Sequence, residues 1–146
     1  MVPQCHVKIM ADGKKLRYSQ QRERIYEYLL SSKEHHPSAE MVYDALRSEI
    51  QGLSLGTVYR NLRLLEDLGK IRRVASHQGI DRYDSCCSDH VHFFCQSCGY
   101  IENVPKADIE KIRAAVPLGS SYQLFKLDLT LTGLCSKCTI KEITKE

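Results

Sequence analysis

Four of the seven cysteines in this 146-residue sequence fall in two CxxC pairs, Cys95-Gln-Ser-Cys98 and Cys135-Ser-Lys-Cys138. Each CxxC turn aims two sulfurs at a common point, and two such turns supply the four thiolates of a tetrahedral zinc site. The 36 residues between the pairs exceed the usual zinc-ribbon gap, so intervening elements must bring the pairs together. Two unrelated buried cysteine pairs, or a redox CxxC, are the competing readings of the same spacing. Four thiolates leave no open coordination position, so zinc bound there would stabilise the fold and not catalyse.

A second set of candidate ligands is mixed. His90 and His92 are two residues apart and would project to one side of a strand, Asp84 precedes them, and His35 and His36 lie far upstream. Neutral imidazoles with a carboxylate suit exchangeable Fe, Mn, Zn or Ni, the alternative being ordinary surface histidines. Around Cys5, Cys86 and Cys87 there is no base with an orienting third group, so enzyme activity and a small-molecule substrate are not expected.

These residues need elements to position them. Ile25, Tyr28 and Leu29 stand at helical spacing behind a possible N-cap at Ser19, and this helix should end near Ser31 and Ser32. After Pro37, Ser38 caps a second helix whose apolar face is Ala39, Val42, Tyr43, Leu46 and Ile50. A break of about three residues, Gln51 to Leu53, leads to a third helix capped by Ser54, burying Leu55, Val58, Leu62 and Leu65 and stopping at Gly69. Ile71–Ala75 and Ile80–Asp84 flank a four-residue turn, Ser76 to Gly79, and read as a hairpin. Three helices and a hairpin make a winged helix-turn-helix.

Thr57, Tyr59, Arg60 and Arg63 occupy the non-core side of the third helix, with Arg72 and Arg73 on the wing. Arginine can take guanine bidentately, tyrosine can contact phosphate or a thymine methyl, and a basic arm (Lys8, Lys14, Lys15, Arg17) could enter a minor groove. Charge placement agrees: residues 1–84 carry 14 basic and 11 acidic side chains, residues 85–146 carry 7 and 7, so the net +3 resides in the first part. Double-stranded DNA is the expected partner; a solvated polar face is the alternative.

The rest of the chain reads as a small α/β region: a knuckle within His92–Val104, a short helix opened by Pro105 with Ile109, Ile112 and Val116 inward, and a strand alternating Phe125, Leu127, Leu129 and Leu131 with polar residues. About sixty residues form only a small core, so this region should need both a metal staple and a second subunit. The expected class is therefore α+β: winged helix at 1–84, hinge at 85–90, dimerisation and zinc-binding domain at 91–146. No stretch approaches the roughly 18 apolar residues of a membrane span, and no export signal is visible, so a cytoplasmic protein without membrane contact is expected.

The ordered motifs His36-Pro-Ser-Ala-Glu-Met-Val-Tyr43, Ser54-Leu-Gly-Thr-Val-Tyr-Arg-Asn-Leu62, Arg82-Tyr-Asp84, His90-Val-His92, Cys95-x-x-Cys98-Gly99 and Cys135-x-x-Cys138 resemble the ferric uptake regulator (Fur) family. The resemblance runs from about Tyr18 to Cys138, and within the family it is strongest to peroxide-responsive (PerR) repressors. It implies a homodimeric, metal-responsive repressor on an inverted-repeat operator, with structural zinc on Cys95, Cys98, Cys135 and Cys138. It also implies a regulatory Fe(II) or Mn(II) site using His36, Asp84, His90, His92 and position 103. Asp84 matches the PerR pattern, but Asn103 stands where those repressors carry Asp and iron-uptake regulators carry Glu. A neutral amide there weakens divalent affinity, so a regulator of iron, manganese or zinc homeostasis without peroxide sensing is the competing reading. A thiol-based redox protein is the alternative of another class.

Overall fold

The structure, a computed structural model, describes residues 17–32, 36–85, 88–104 and 107–144 and divides into two compact units, 1–88 and 89–146. The first unit contains α1 (Gln20–Ser31), α2 (Ala39–Leu46), α3 (Leu55–Asp67) and an antiparallel pair of strands, β1 (Arg72–His77) and β2 (Ile80–Asp84). This is a winged helix. Ser19, Ser38 and Ser54 each accept a hydrogen bond from the backbone N–H three residues on, satisfying donors that a helix start leaves orphaned. At the far end of α3, Lys70 N donates to Leu65 O and Gly69 N to Glu66 O around a left-handed Gly69 (φ 69°). That paired closure is the Schellman motif, and it turns the chain into the wing.

Two expectations for this unit need correction. α2 ends at Leu46 and eight residues (47–54) link it to α3, not about three. Ile50 N still bonds Leu46 O and Leu53 N bonds Ile50 O, so a further turn carries Ile50 against the core although it lies outside the helix. The wing turn is two residues, Gln78-Gly79, both with positive φ (51° and 79°), because the strands continue through Ser76 and His77 to the tightest turn that matches their twist. An irregularity between Arg73 and Ala75 explains why the wing sequence does not alternate cleanly.

The second unit has a three-stranded sheet in the order β4-β3-β5, from β3 (Val91–Cys95), β4 (Ile101–Asn103) and β5 (Leu129–Gly133), with α4 (Ile109–Ala115) and α5 (Ser136–Ile143). β3 is antiparallel to β4 and parallel to β5. The long strand expected from Phe125 begins only at Leu129, and Phe125 is 79% exposed. α4 is capped by Asp108, whose Oδ1 accepts from Lys111 N; it buries none of its residues, and Val116, expected inward, is exposed. Alternation and helical periodicity mark an apolar face without saying what covers it, and here Phe125 and Val116 stay exposed while Ile109, Ile112, Leu127 and Leu129 are half-buried. Pro105, expected to open α4, lies outside the described residues. Among the described residues no helix is long and apolar enough to cross a membrane.

Candidate metal centre

The two CxxC pairs meet because of sheet register. β3 and β5 run parallel with Cys95 opposite Gly133, and Gln96 N donates to Gly133 O, so the second pair begins two residues beyond the strand position facing the first. After Cys95 the chain reverses tightly: Gly99 N donates to Cys95 O and Gly99 has φ 73°, which only glycine adopts without strain. Cys135 is the N-cap residue of α5, and Cys138 lies in that helix's first turn. One sulfur from each of the four cysteines lies within 4.8 Å of the other three.

The geometry fits zinc. A Zn–S bond of about 2.3 Å separates tetrahedral sulfurs by roughly 3.8 Å, and Cys98 Sγ lies 3.8 Å from Cys135 Sγ. The backbone supports an ionised sulfur: Cys135 N donates to Cys95 Sγ at 3.3 Å and holds the Cys95 thiol down to about 6. At Cys98 the Tyr100 N–H also favours the thiolate, but the neighbouring Cys95 sulfur, burial, Cys138 and Cys135 together outweigh it and push that thiol up to about 11. Sulfurs this close cannot all carry charge unless a cation sits among them, and a thiophilic dication would supply it. Convergence on one point sets aside the reading as two separate pairs.

Each unit also carries a share of the mixed donor set. In the first, His36 lies immediately before α2 beside the end of β2, because Arg82 Nε donates to His36 O at 2.5 Å and Tyr83 N to Pro37 O at 3.1 Å. His36 and Asp84 are fully buried, with ligand-capable atoms within 4.8 Å of each other. In the second, the rings of His90 and His92 stack at a tilt with centroids 4.3 Å apart; His92 is buried in β3, while His90 just precedes the strand. Asn103 pairs directly with His92 across β3 and β4, whereas exposed Glu102 is opposite Phe93 and holds Tyr100 Oη. The register is regular there, so Asn103, and not Glu102, is the residue paired with His92. His35, Cys5, Cys86 and Cys87 lie outside the described residues.

The residues read as a DNA-binding face divide. Tyr59, Arg60 and Arg63 are exposed on α3 and Thr57 is half-buried, bonded to Ser54 Oγ and to Arg60 Nη2. Tyr59 Oη donates to Glu40 Oε1 at 2.6 Å, and that bond, with some burial, pushes the phenol up to about 12. Arg17 is exposed; Arg73 is half-exposed and paired with Glu66 and Asp81; Lys8, Lys14 and Lys15 lie outside the described residues. Arg72 departs from the expectation. It is buried, with Nε and Nη2 on Asp84 Oδ2 and Nη2 also on Ser88 O, so it faces the protein and not a phosphate. The strand register that pairs Arg72 with Asp84 is the signal that could have found this contact, and the wing irregularity hid it.

A winged helix followed by a small α/β unit with a four-cysteine centre defines a winged-helix metalloprotein. The model of the ferric uptake regulator family matches residues 13–132, and the chain belongs to that family. It is 30% identical over 127 residues to the peroxide operon regulator of Bacillus subtilis, covering 87% of each chain. Among solved structures it resembles the Helicobacter pylori ferric uptake regulator, described with three functional metal binding sites (TM-score 0.70, 26% identity, 85% and 83% coverage). The manganese-containing ferric uptake regulator of Pseudomonas aeruginosa is equally similar in fold (TM-score 0.70, 29% identity, 83% and 91% coverage).

Proposed function

We propose that this protein is a metal-dependent, DNA-binding transcriptional repressor of the Fur family, of the peroxide-responsive type, acting in the cytoplasm as a homodimer on an inverted-repeat operator. The observation that carries the reading is the donor pair His36 and Asp84, both buried, in the first unit, and the donor pair of buried His92 and half-buried His90 in the second, which also holds the four-thiolate centre. Zinc on Cys95, Cys98, Cys135 and Cys138 would hold the second unit folded. A regulatory Fe(II) or Mn(II) would draw His36 and Asp84 from the first unit and His90, His92 and the Asn103 carbonyl from the second. Filling that set would fix the spacing of the winged helices on two half-sites, and emptying it would release them.

At the DNA, Tyr59, Arg60, Arg63 and Thr57 on α3 would read the major groove, with Arg17 and Arg73 near the backbone. Their roles differ: Arg60 and Arg63 are exposed charges, whereas the exposed Tyr59 is held in place by its hydroxyl donating a hydrogen bond to Glu40. Bound Fe(II) would supply an electron that cleaves the O–O bond of hydrogen peroxide, so that one peroxide oxygen is added to a ligand imidazole and the other leaves as water. The chain's contribution is to hold His36 and His90 as the susceptible rings.

Asn103 favours a second reading, a regulator of metal availability without peroxide chemistry, because its amide brings no charge to a site where imidazoles are neutral. One experiment separates the two. The zinc-loaded protein is titrated anaerobically with Fe(II) or Mn(II) on an inverted-repeat duplex selected in vitro, before and after a peroxide pulse, with mass spectrometry of the histidine peptides. The peroxide-sensing reading expects loss of Fe(II)-dependent binding and one added oxygen on His36 or His90, with the Mn(II) complex intact. Survival of both complexes with unmodified histidines leaves the metal-availability reading.

A further inference from the structure

We propose that Arg72 is an internal counter-cation of Asp84 which the regulatory metal must displace, so that this residue sets the metal concentration at which the site fills. The inference rests on the reading of Asp84 as a ligand of that metal. Arg72 Nε and Nη2 both converge on one oxygen, Asp84 Oδ2, at 3.3 and 3.4 Å, and the carboxylate is fully buried. The guanidinium is 9% exposed and anchored a second time by Ser88 O, 3.2 Å from Nη2. Strand pairing fixes the arrangement, since Arg72 and Asp84 are direct partners across the wing.

Charge makes this contact consequential. Imidazoles bind metal only when neutral, Asn103 is neutral, and the single negative charge of Asp84 is matched by Arg72, so the donor set with its counter-ion sums to zero. A dication approaching Asp84 meets a positive group already bonded to that carboxylate, in surroundings where water screens little. As metal draws the carboxylate, the guanidinium keeps a partner at Ser88 O. Without Arg72 the buried carboxylate loses that guanidinium; the metal-free fold weakens and a dication binds Asp84 without competing against it.

The test uses the zinc-loaded full chain and Mn(II) alone, with free Mn(II) followed by electron paramagnetic resonance. Arg72→Met should bind Mn(II) about tenfold tighter or more, and Mn(II) should raise its melting temperature further than that of the unaltered protein. Arg72→Gln, which keeps hydrogen-bonding capacity but loses the charge, should shift affinity the same way and decides the matter if Arg72→Met does not fold. Arg73→Met removes the same charge from the next, half-exposed residue and should change affinity less than about twofold. Unchanged or weaker Mn(II) binding in the Arg72 variants overturns the proposal. If Asp84→Asn abolishes binding while the Arg72 variants leave it unchanged, only the counter-cation idea fails. If neither the unaltered chain nor any Arg72 variant takes up Mn(II), the regulatory-site reading fails and this proposal with it.

Discussion

Among the described residues, eleven side chains of the winged-helix unit, from Ile25 to Tyr83, form one buried cluster, whereas the buried apolar set of the second unit is Val91, Phe94, Ile101 and two of the four clustered cysteines. The first unit buries its helices' apolar stripes against one another, each fully buried leucine or isoleucine worth roughly 1.5–3 kcal/mol. The second leaves Phe125, Tyr122, Leu131, Ile140 and Ile143 exposed, and α4 buries nothing. One chain thus contains a unit held by its own core and a unit whose cohesion, in the proposed function, is delegated to a metal and to a second copy.

Stripping the zinc is the most severe way to test that contrast. Binding at a four-thiolate structural site is worth on the order of 10 kcal/mol, comparable to the whole stability of a domain. Chelation under reducing conditions, or Cys95→Ala, should therefore collapse hydrogen-exchange protection across residues 91–143 while peptides from 20–84 keep theirs. Equal loss in both regions would break the comparison. Next in size, Leu62→Ala, at a fully buried position in the first core, should cost about 2–5 kcal/mol in urea unfolding of that unit and leave zinc content unchanged.

Ser54→Ala removes the acceptor for Thr57 N at the start of α3 and should cost about 1 kcal/mol, again confined to the first unit. The smallest effect concerns one proton. Glu40→Gln removes the carboxylate that raises Tyr59, so its ionisation should fall from about 12 toward the ordinary tyrosine value near 10, read as tyrosinate absorbance against a Tyr59→Phe reference.

The same contrast explains what the sequence disclosed. Caps at Ser19, Ser38 and Ser54 and the stop at Gly69 were legible because each is a local rule satisfied within a few residues. The four cysteines were legible because ligand spacing is itself the signal, although only the parallel register of β3 and β5 explains how 36 intervening residues close the gap. The extent of β5 was not: from Phe125 to Asp128 the alternation reports an amphipathic segment, and no strand among the described residues pairs with it. Nor was the fate of Arg72, since a basic residue on a wing reads as a phosphate contact until cross-strand pairing reveals the buried carboxylate beside it. Asn103 is the cross-strand partner of His92, and the β3–β4 register sets Glu102 opposite Phe93.

The most direct test is operator affinity of His92→Ala beside the unaltered protein, both fully zinc-loaded, with and without saturating Mn(II). His92 is buried in β3 and lies outside the four-cysteine cluster, so zinc content and the hydrogen-exchange protection of residues 91–143 should be retained. The account expects the metal-dependent part of DNA binding to disappear in the variant. Operator affinity that still rises with Mn(II) as in the unaltered protein would contradict it.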